Sequence, residues 1–246
     1  MPDIRNDIIK NSYDGLNCIW MASGSIDFSL CEKDYICEDC PLDKIMRNLF
    51  SDDGRVGNIN FNLYDLEFLD RIINKVENSS YDSRLIYFNN NVVVKHIFSN
   101  IYYLGLNPIF VSLLDNVTAI REYLKRVYFL KGQKILVIDG DWGSFTVNTP
   151  VNFMLLDKLN WKLEDLISKN WLALVLLNQQ EIDDGKLSCC LWQKGQFKAL
   201  KLLNDYKNCC LKINSISDKS AVKINSLFQL IGKDEYLKML NCYCDE

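Results

Sequence analysis

The sequence predicts an α+β chain dominated by strands, and three observations predict it. Between Arg84 and about Asn178, short runs rich in β-branched and aromatic residues are separated by asparagine, glycine and aspartate, the pattern of strands joined by tight turns. On either side of that stretch apolar residues recur at steps of three and four, which is the helical period. The N-terminal 60 residues differ from both, because they hold four of the ten cysteines, Cys18, Cys31, Cys37 and Cys40. The chain therefore divides into a cysteine-rich segment over 1–60 with a candidate metal knuckle, a helix over 61–80, a β-domain over 81–180, and a C-terminal segment over 181–246 in which one strand and helices pack on the β-domain.

At 246 residues, with 48% apolar and 24% charged residues, the composition is that of a folded globular chain. One large domain or two small ones are expected at about 100 to 200 residues each. The apolar run from Leu172 to Leu177 is far shorter than the roughly 20 residues needed to span a bilayer, and the N-terminus lacks the apolar stretch of a secretory signal. A cytoplasmic protein without membrane association is the expectation. The formal net charge is −4 and the lysines are scattered singly among acids and apolar residues. Nucleic acid is not expected as a partner, since its binding rests on clustered cations.

The helix over 61–80 is read from Leu63, Leu66, Leu69, Ile73 and Val76, with Asn62 as N-cap, Asp65 and Glu67 near the positive end of the helix dipole, and a stop near Glu77 ahead of Asn78-Ser79-Ser80. The strands are read from LIYF, VVVKHIF, IYYLGL, RVYFL, KILVID, FTVN and WLALVLL. Asn89-Asn90-Asn91 reads as a tight connection, because asparagine tolerates positive φ. Pro108 to Val117 reads as a short helix with proline in its first turn, and Trp161 to Asn170 as a short helix or loop. Beyond 180 a strand-like stretch is expected around Leu187 to Trp192. A helical stripe of Ala221, Ile224, Leu227, Phe228 and Ile231 closed by Gly232 follows, and a last short helix runs from Asp234 through Leu240.

Cys37-Glu38-Asp39-Cys40 is a CxxC turn followed by Pro41, and such a turn lets two thiolates face one ion while Cys31 and Cys18 complete a tetrahedral set. Some or all of the same cysteines also read as small buried apolar side chains. Zinc is the metal such a set favours. An iron–sulfur cluster is the alternative, because a cysteine followed by proline also ends ferredoxin cluster motifs, although the spacing differs here. In a reducing cytoplasm disulfides are not expected. The pairs Cys189-Cys190 and Cys209-Cys210, with Cys242 and Cys244, read as core filling. His96 is the only histidine, and its place on an alternating strand gives it a structural or exposed role. No phosphate-cradling, nucleophile-elbow, zinc-protease or calcium-loop motif is present in the sequence. Asp139 and Asp141 flank Gly140 as turn residues.

Two stretches together resemble the H protein of the glycine cleavage system, a lipoyl carrier. Tyr102 to Leu114 is similar to that family's strand, glycine and short helix, with Gly105-Leu106-Asn107 at the step. Val147 to Leu176 is similar in its Thr149-Pro150-Val151 turn, Lys158-Leu159-Asn160, Glu164-Asp165-Leu166-Ile167 and Asn170-Trp171-Leu172. The N-terminus, through Trp20, Leu30-Cys31 and Cys37 to Asp43, is similar to the cysteine-containing leader that precedes H-like domains in some bacterial proteins.

The resemblance implies a flattened β-barrel sandwich, the barrel-sandwich hybrid of lipoyl carriers. It also implies a prosthetic lysine on a hairpin eight residues before Pro150, and Trp142 stands there. Glycine is also missing after the Pro-Val turn, where Asn152-Phe153 stands. An indole cannot form the amide that lipoate needs, so no lipoate is expected. Lys134 and Lys158, the nearest lysine on either side of that position, are expected on different sheet edges. The implied function is a non-enzymatic binding or scaffold protein with a protein partner. Trp142 is its candidate binding residue, a large ring at a loop tip that either folds back on its own domain or waits for a partner. The alternatives are an iron–sulfur redox protein, or a carrier modified at a displaced lysine such as Lys134.

Overall fold

The computed structural model describes residues 18–23, 26, 31, 33, 36–50, 66–159, 171–212 and 224–241. The expected turn over 51–57, the helix start at Asn62 and Leu63 with Asp65, the stretch Trp161 to Asn170, Ala221, and Cys242 with Cys244 lie outside the described residues. The chain is α+β. Its helices are α1 (Ile19–Ala22), α2 (Pro41–Phe50), α3 (Glu67–Glu77), α4 (Pro108–Leu113), α5 (Gln179–Gly185), α6 (Cys189–Lys212), α7 (Leu227–Ile231) and α8 (Lys233–Asn241). Its strands are β1 (Leu85–Tyr87), β2 (Val92–Phe98), β3 (Ile101–Leu106), β4 (Val117–Glu122), β5 (Tyr128–Phe129), β6 (Lys134–Gly140), β7 (Gly143–Asn148), β8 (Phe153–Lys158) and β9 (Trp171–Leu176). Among the described residues no helix is long and apolar enough to cross a membrane.

The chain forms two compact units, each built from separated stretches: 1–69 with 202–232, and 70–201 with 233–246. The C-terminal segment read as one piece from the sequence is thus shared between them.

The second unit contains both sheets. One has six strands in the order β1-β2-β3-β9-β8-β5, the other three in the order β4-β6-β7, and every pairing is antiparallel. Among the described residues each sheet is open, with β1 and β5 as edges of the larger and β4 and β7 as edges of the smaller. The asparagine turn forms as expected: Asn90 and Asn91 take φ of 66° and 62°, and the buried Asn91 amide donates to the Leu240 carbonyl of α8 at 3.1 Å. Asn107 caps α4 by accepting from the Ile109 amide at 3.0 Å, with Pro108 at the first helical position. Strand β6 is buried from Ile135 through Ile138, on both faces, as its continuous apolar run requires.

Helix α5 over Gln179–Gly185 has no counterpart in the expectation, and two further elements differ from it. Leu187 to Trp192 is not a strand: Lys186 makes one isolated bridge with Phe88, and α6 begins at Cys189. The Ser188 hydroxyl accepts from the Leu191 amide at 3.2 Å, an N-cap that starts the helix. Trp192, Ala199, Leu203, Tyr206 and Cys210 are then buried at helical steps. The helix expected over Pro108 to Val117 ends at Leu113, and Asn116 at φ 48° turns the chain into β4. That strand carries Thr118, Arg121 and Glu122 and stays largely exposed, so its sequence has little of the alternation that marks a strand.

In the first unit one buried cluster holds Ile26, Leu42 and Met46, on which Cys18, Trp20, Met21, Cys40 and Cys209 pack, and Ile45, Leu66, Leu69, Leu203, Leu227 and Leu230 are buried as well. Helix α2 packs against α7, and the Asn48 amide donates to the carbonyls of Gln229 and Leu230 at 2.7 and 3.1 Å. Gly232 ends α7 at φ 82°, the C-terminal glycine expected from the sequence.

Ile138 is fully buried at the centre of β6, opposite Ile120 and Phe145. Ile138→Ala should lower stability by about 2–5 kcal/mol, read as an earlier urea midpoint with an unchanged slope.

Candidate functional site

The hairpin of β6 and β7 is the first place to look, because the sequence puts Trp142 at its tip. Gly140 pairs with Gly143, which leaves Asp141 and Trp142 as the connection. Gly143 takes φ of 112°, a conformation that suits glycine. The tip is where the sequence places it, and of the two alternatives for the indole the structure shows the one in which it folds back on its own unit. Trp142 is 0% exposed. Its Nε1 donates to the Asp115 carbonyl at 2.6 Å, and its ring lies 5.3 Å from that of Tyr236 on α8. Burying an indole is favourable only if its N–H finds an acceptor, and the turn after α4 supplies one. Trp142 is therefore part of its own unit's packing and not a ring held out for a partner.

The surroundings are fitted to that indole. A Cβ at Gly140 would run into the indole nitrogen and come within 2.8 Å of the Asn116 carbonyl. Tyr236 is buried, donates to the Leu113 carbonyl at 2.9 Å and accepts from the Asp115 amide at 3.0 Å. Burial pushes the Tyr236 phenol well above its ordinary value. Tyr236 and Asp115 were not singled out from the sequence, since nothing local links positions more than 100 residues apart.

The amines lie elsewhere. Lys134 opens β6 with its Nζ 5.0 Å from the Tyr123 ring centroid, whereas Lys158 is in β8 and pairs with Glu122 at 3.5 Å. They stand in different sheets, and Lys134 is on the central strand of its sheet, not an edge. Lys233, at the start of α8, sequence reasoning missed. Its Nζ lies 3.0 Å from where a Cβ on Gly143 would stand, so this amine reaches the hairpin tip from another element. Asp139 is committed to structure: it accepts from Arg121 at 2.7 and 2.8 Å and from Ser144 at 2.5 Å. Arg121 and Ser144 hold its carboxyl below the usual value. His96 is exposed, with its Nε2 2.8 Å from the Ser99 carbonyl. It belongs to the second unit and Cys40 to the first.

The larger sheet carries an apolar row that the sequence pattern did not reveal. Tyr128, Met154, Leu176, Ile101 and Phe98 stand opposite one another in turn across five strands, and opposed residues in antiparallel pairs share a face. Tyr128 is 69% exposed and Phe98 60%.

In the first unit two of the four predicted cysteines, Cys37 and Cys40, flank a single helix start. Cys37 to Asp39 form one 3-10 turn, the Cys40 amide donates to the Cys37 carbonyl at 3.0 Å, and the Lys44 amide to the Cys40 carbonyl at 3.1 Å. Pro41 then opens α2. Cys18 precedes α1 and packs on the same three-residue core as Cys40. The buried Asp43 carboxylate accepts from Trp20 Nε1 at 3.0 Å and Arg47 Nε at 2.5 Å, which ties α1 to α2. Burial pushes the Cys37 thiol up, and the Asp43 carboxylate and the sulfurs of Cys40, Cys31 and Cys18 push it further. Among the described residues no three His, Cys, Asp or Glu side chains stand close enough to hold an ion. The cysteine pairs on α6 differ: Cys189 and Cys190 are exposed, whereas burial pushes the Cys210 thiol up to about 12.

No family model matches the chain, and no curated protein matches it in sequence.

Trp142→Phe should cost about 1–3 kcal/mol, because it strips the Asp115 carbonyl of its donor. Trp142→Ala should cost about 3–5 kcal/mol through the cavity it opens. Chemical denaturation of both variants checks the order. Tyr236 also sets an alkaline limit. Its folded value is raised, so the stability it contributes is complete below the ordinary phenol value of about 10 and is lost as pH climbs from there toward the folded value. Tyr236→Phe should flatten the fall in stability above pH ~10, measured as the denaturation midpoint against pH.

Proposed function

We propose that the second unit is a degenerate lipoyl-carrier-like domain, similar to the H protein of the glycine cleavage system, that serves as a non-enzymatic binding or scaffold module. The resemblance of Tyr102 to Leu114 and Val147 to Leu176 to that family supports the reading. So do the antiparallel sheets in which those stretches lie, which on this reading derive from the family's flattened barrel sandwich. The observation that carries it is the hairpin tip. Where a carrier offers an amine on an exposed turn, this chain places a buried indole bonded to a main-chain carbonyl. A side chain fixed in that way cannot swing between the sites of partner enzymes. The apolar row from Tyr128 to Phe98, in which Tyr128, Leu176 and Phe98 are exposed and Met154 and Ile101 half-buried, supports a contact role, since exposed apolar side chains grouped on one face mark interaction surfaces. A protein is the partner that such a face suits.

One observation favours a second reading, a carrier modified at a displaced lysine. Lys233 brings its amine beside Gly143, close to the position where the prosthetic group would start.

Incubation of the full chain with lipoate, ATP and a lipoate–protein ligase separates the two. On the scaffold reading the intact mass does not change. A gain of one lipoyl group that disappears in Lys233→Arg, or in Lys134→Arg, establishes the carrier reading and removes the other.

A further inference from the structure

The stretch between β4 and β6, which includes β5, enters that reading only through Tyr128, and it carries an inference of its own. From Tyr123 to Ile138 the sequence holds Lys125, Arg126, Lys131 and Lys134 and no acid, in a chain whose formal net charge is −4. The same stretch exposes apolar side chains: Val127 is 55% exposed, Tyr128 69% and Leu130 61%. It closes on itself as a loop. The Tyr123 amide donates to the Ile135 carbonyl at 2.9 Å and the Gln133 amide to the Leu130 carbonyl at 3.1 Å, while Lys134 Nζ lies over the Tyr123 ring. At the tip Gly132 takes φ of 83°, and a Cβ there would meet no atom within 4 Å, so the turn projects into open space. The Lys131 amide donates to Asn152 Oδ1 at 2.8 Å and ties the tip to the turn before β8. Apolar residues interrupt the cations along the chain, and closure of the loop gathers them.

Among the described residues none of these four cations is in an ion pair. The acids on adjoining elements are engaged elsewhere: Glu122 pairs with Lys158, Asp157 accepts from the Lys158 amide, and Glu181 accepts from both amides of Asn152. Unpaired cations grouped in one place call for an anionic occupant. The lysines narrow its class. Lysine is depleted at protein–protein interfaces relative to the rest of the surface, yet here lysines flank the projecting apolar side chains on both sides. At a lipid surface that mixture is favourable, because the lysine stem lies along apolar groups while its ammonium stays among the headgroups. A fluid interface also receives a projecting side chain without a pocket shaped to hold it. We propose that residues 123–134 form a contact site for the surface of an anionic bilayer. Leu130, Tyr128 and Val127 enter the headgroup boundary, and Lys125, Arg126, Lys131 and Lys134 meet the anionic headgroups. The contact is with the surface alone and involves no spanning segment.

The test sediments the full chain with vesicles of phosphatidylcholine alone and with vesicles in which about a third of the lipid is phosphatidylserine. The chain should bind the anionic vesicles and not the neutral ones, and binding should fall as added salt shortens the screening length from about 10 Å at 0.1 M. Lys125→Glu with Arg126→Glu should weaken it by more than about 25-fold, since each basic residue near such a surface contributes roughly fivefold. Leu130→Ser should weaken it by about fivefold through lost apolar contact. These side chains are exposed, so an unchanged urea midpoint confirms that the variants fold. Lys194→Glu with Lys198→Glu, at exposed positions on α6, makes the same change of net charge on another element and should leave binding unaltered. Absence of binding to the phosphatidylserine vesicles overturns the proposal, as does unchanged binding by either loop variant or an equal loss in the α6 variant. Saturable binding of polyglutamate or of a single-stranded oligonucleotide, with none to vesicles, overturns it in favour of an acidic protein segment or a nucleic acid.

Discussion

The indole of Trp142, buried with its N–H on the Asp115 carbonyl, is the contact around which the second unit is organised. A tryptophan at the turn of a hairpin would ordinarily face water, at a cost set by its large apolar area. Here Tyr236 covers the ring and itself spans the Leu113 carbonyl and the Asp115 amide. Two aromatic side chains thus satisfy three main-chain groups at the exit of α4. The requirement passes outward to Gly140, where no side chain fits beside the indole, and to Gly143, whose φ of 112° suits glycine. It extends along α8, whose far end is held by the Asn91 amide through the Leu240 carbonyl. Loss of the indole would leave a turn, a helix and two glycines without the reason for their positions.

The first unit follows a different logic. A carboxylate, Asp43, is buried in it along with apolar side chains such as Leu42, Ile45 and Met46. Asp43 is buried because it is paired: Arg47 one turn along α2 and the Trp20 indole share its oxygens, which is the condition for keeping a charge out of water. Its place in the first turn of α2 also suits the positive end of that helix. The Cys37 thiol feels the negative charge of this carboxylate.

Legibility from the sequence followed the range of the interactions concerned. Strands with a continuous run of apolar and aromatic residues, such as Ile135 to Ile138 or Ile101 to Leu104, could be read directly. Gly232 and the asparagine turn at Asn90 and Asn91 were equally readable, because their signal is a local backbone requirement. Strand β4 was not, since half-exposed edge residues such as Thr118 and Arg121 have no pattern of burial to display. The start of α6 was misread because Leu187 to Trp192 is apolar enough for a strand, and the cap at Ser188 is a single residue's signal.

At the candidate sites the same boundary holds. The position of Trp142 on a hairpin, the CxxC turn ahead of Pro41 and the absence of an amine from the tip itself are properties of neighbouring residues, and the sequence determined them. Whether the indole faces water or its own unit, that Lys233 approaches Gly143, and that Cys18 shares a core with Cys40 were decided only by the tertiary structure. Each depends on residues tens to more than a hundred positions apart, joined by packing and main-chain hydrogen bonds that no local pattern encodes.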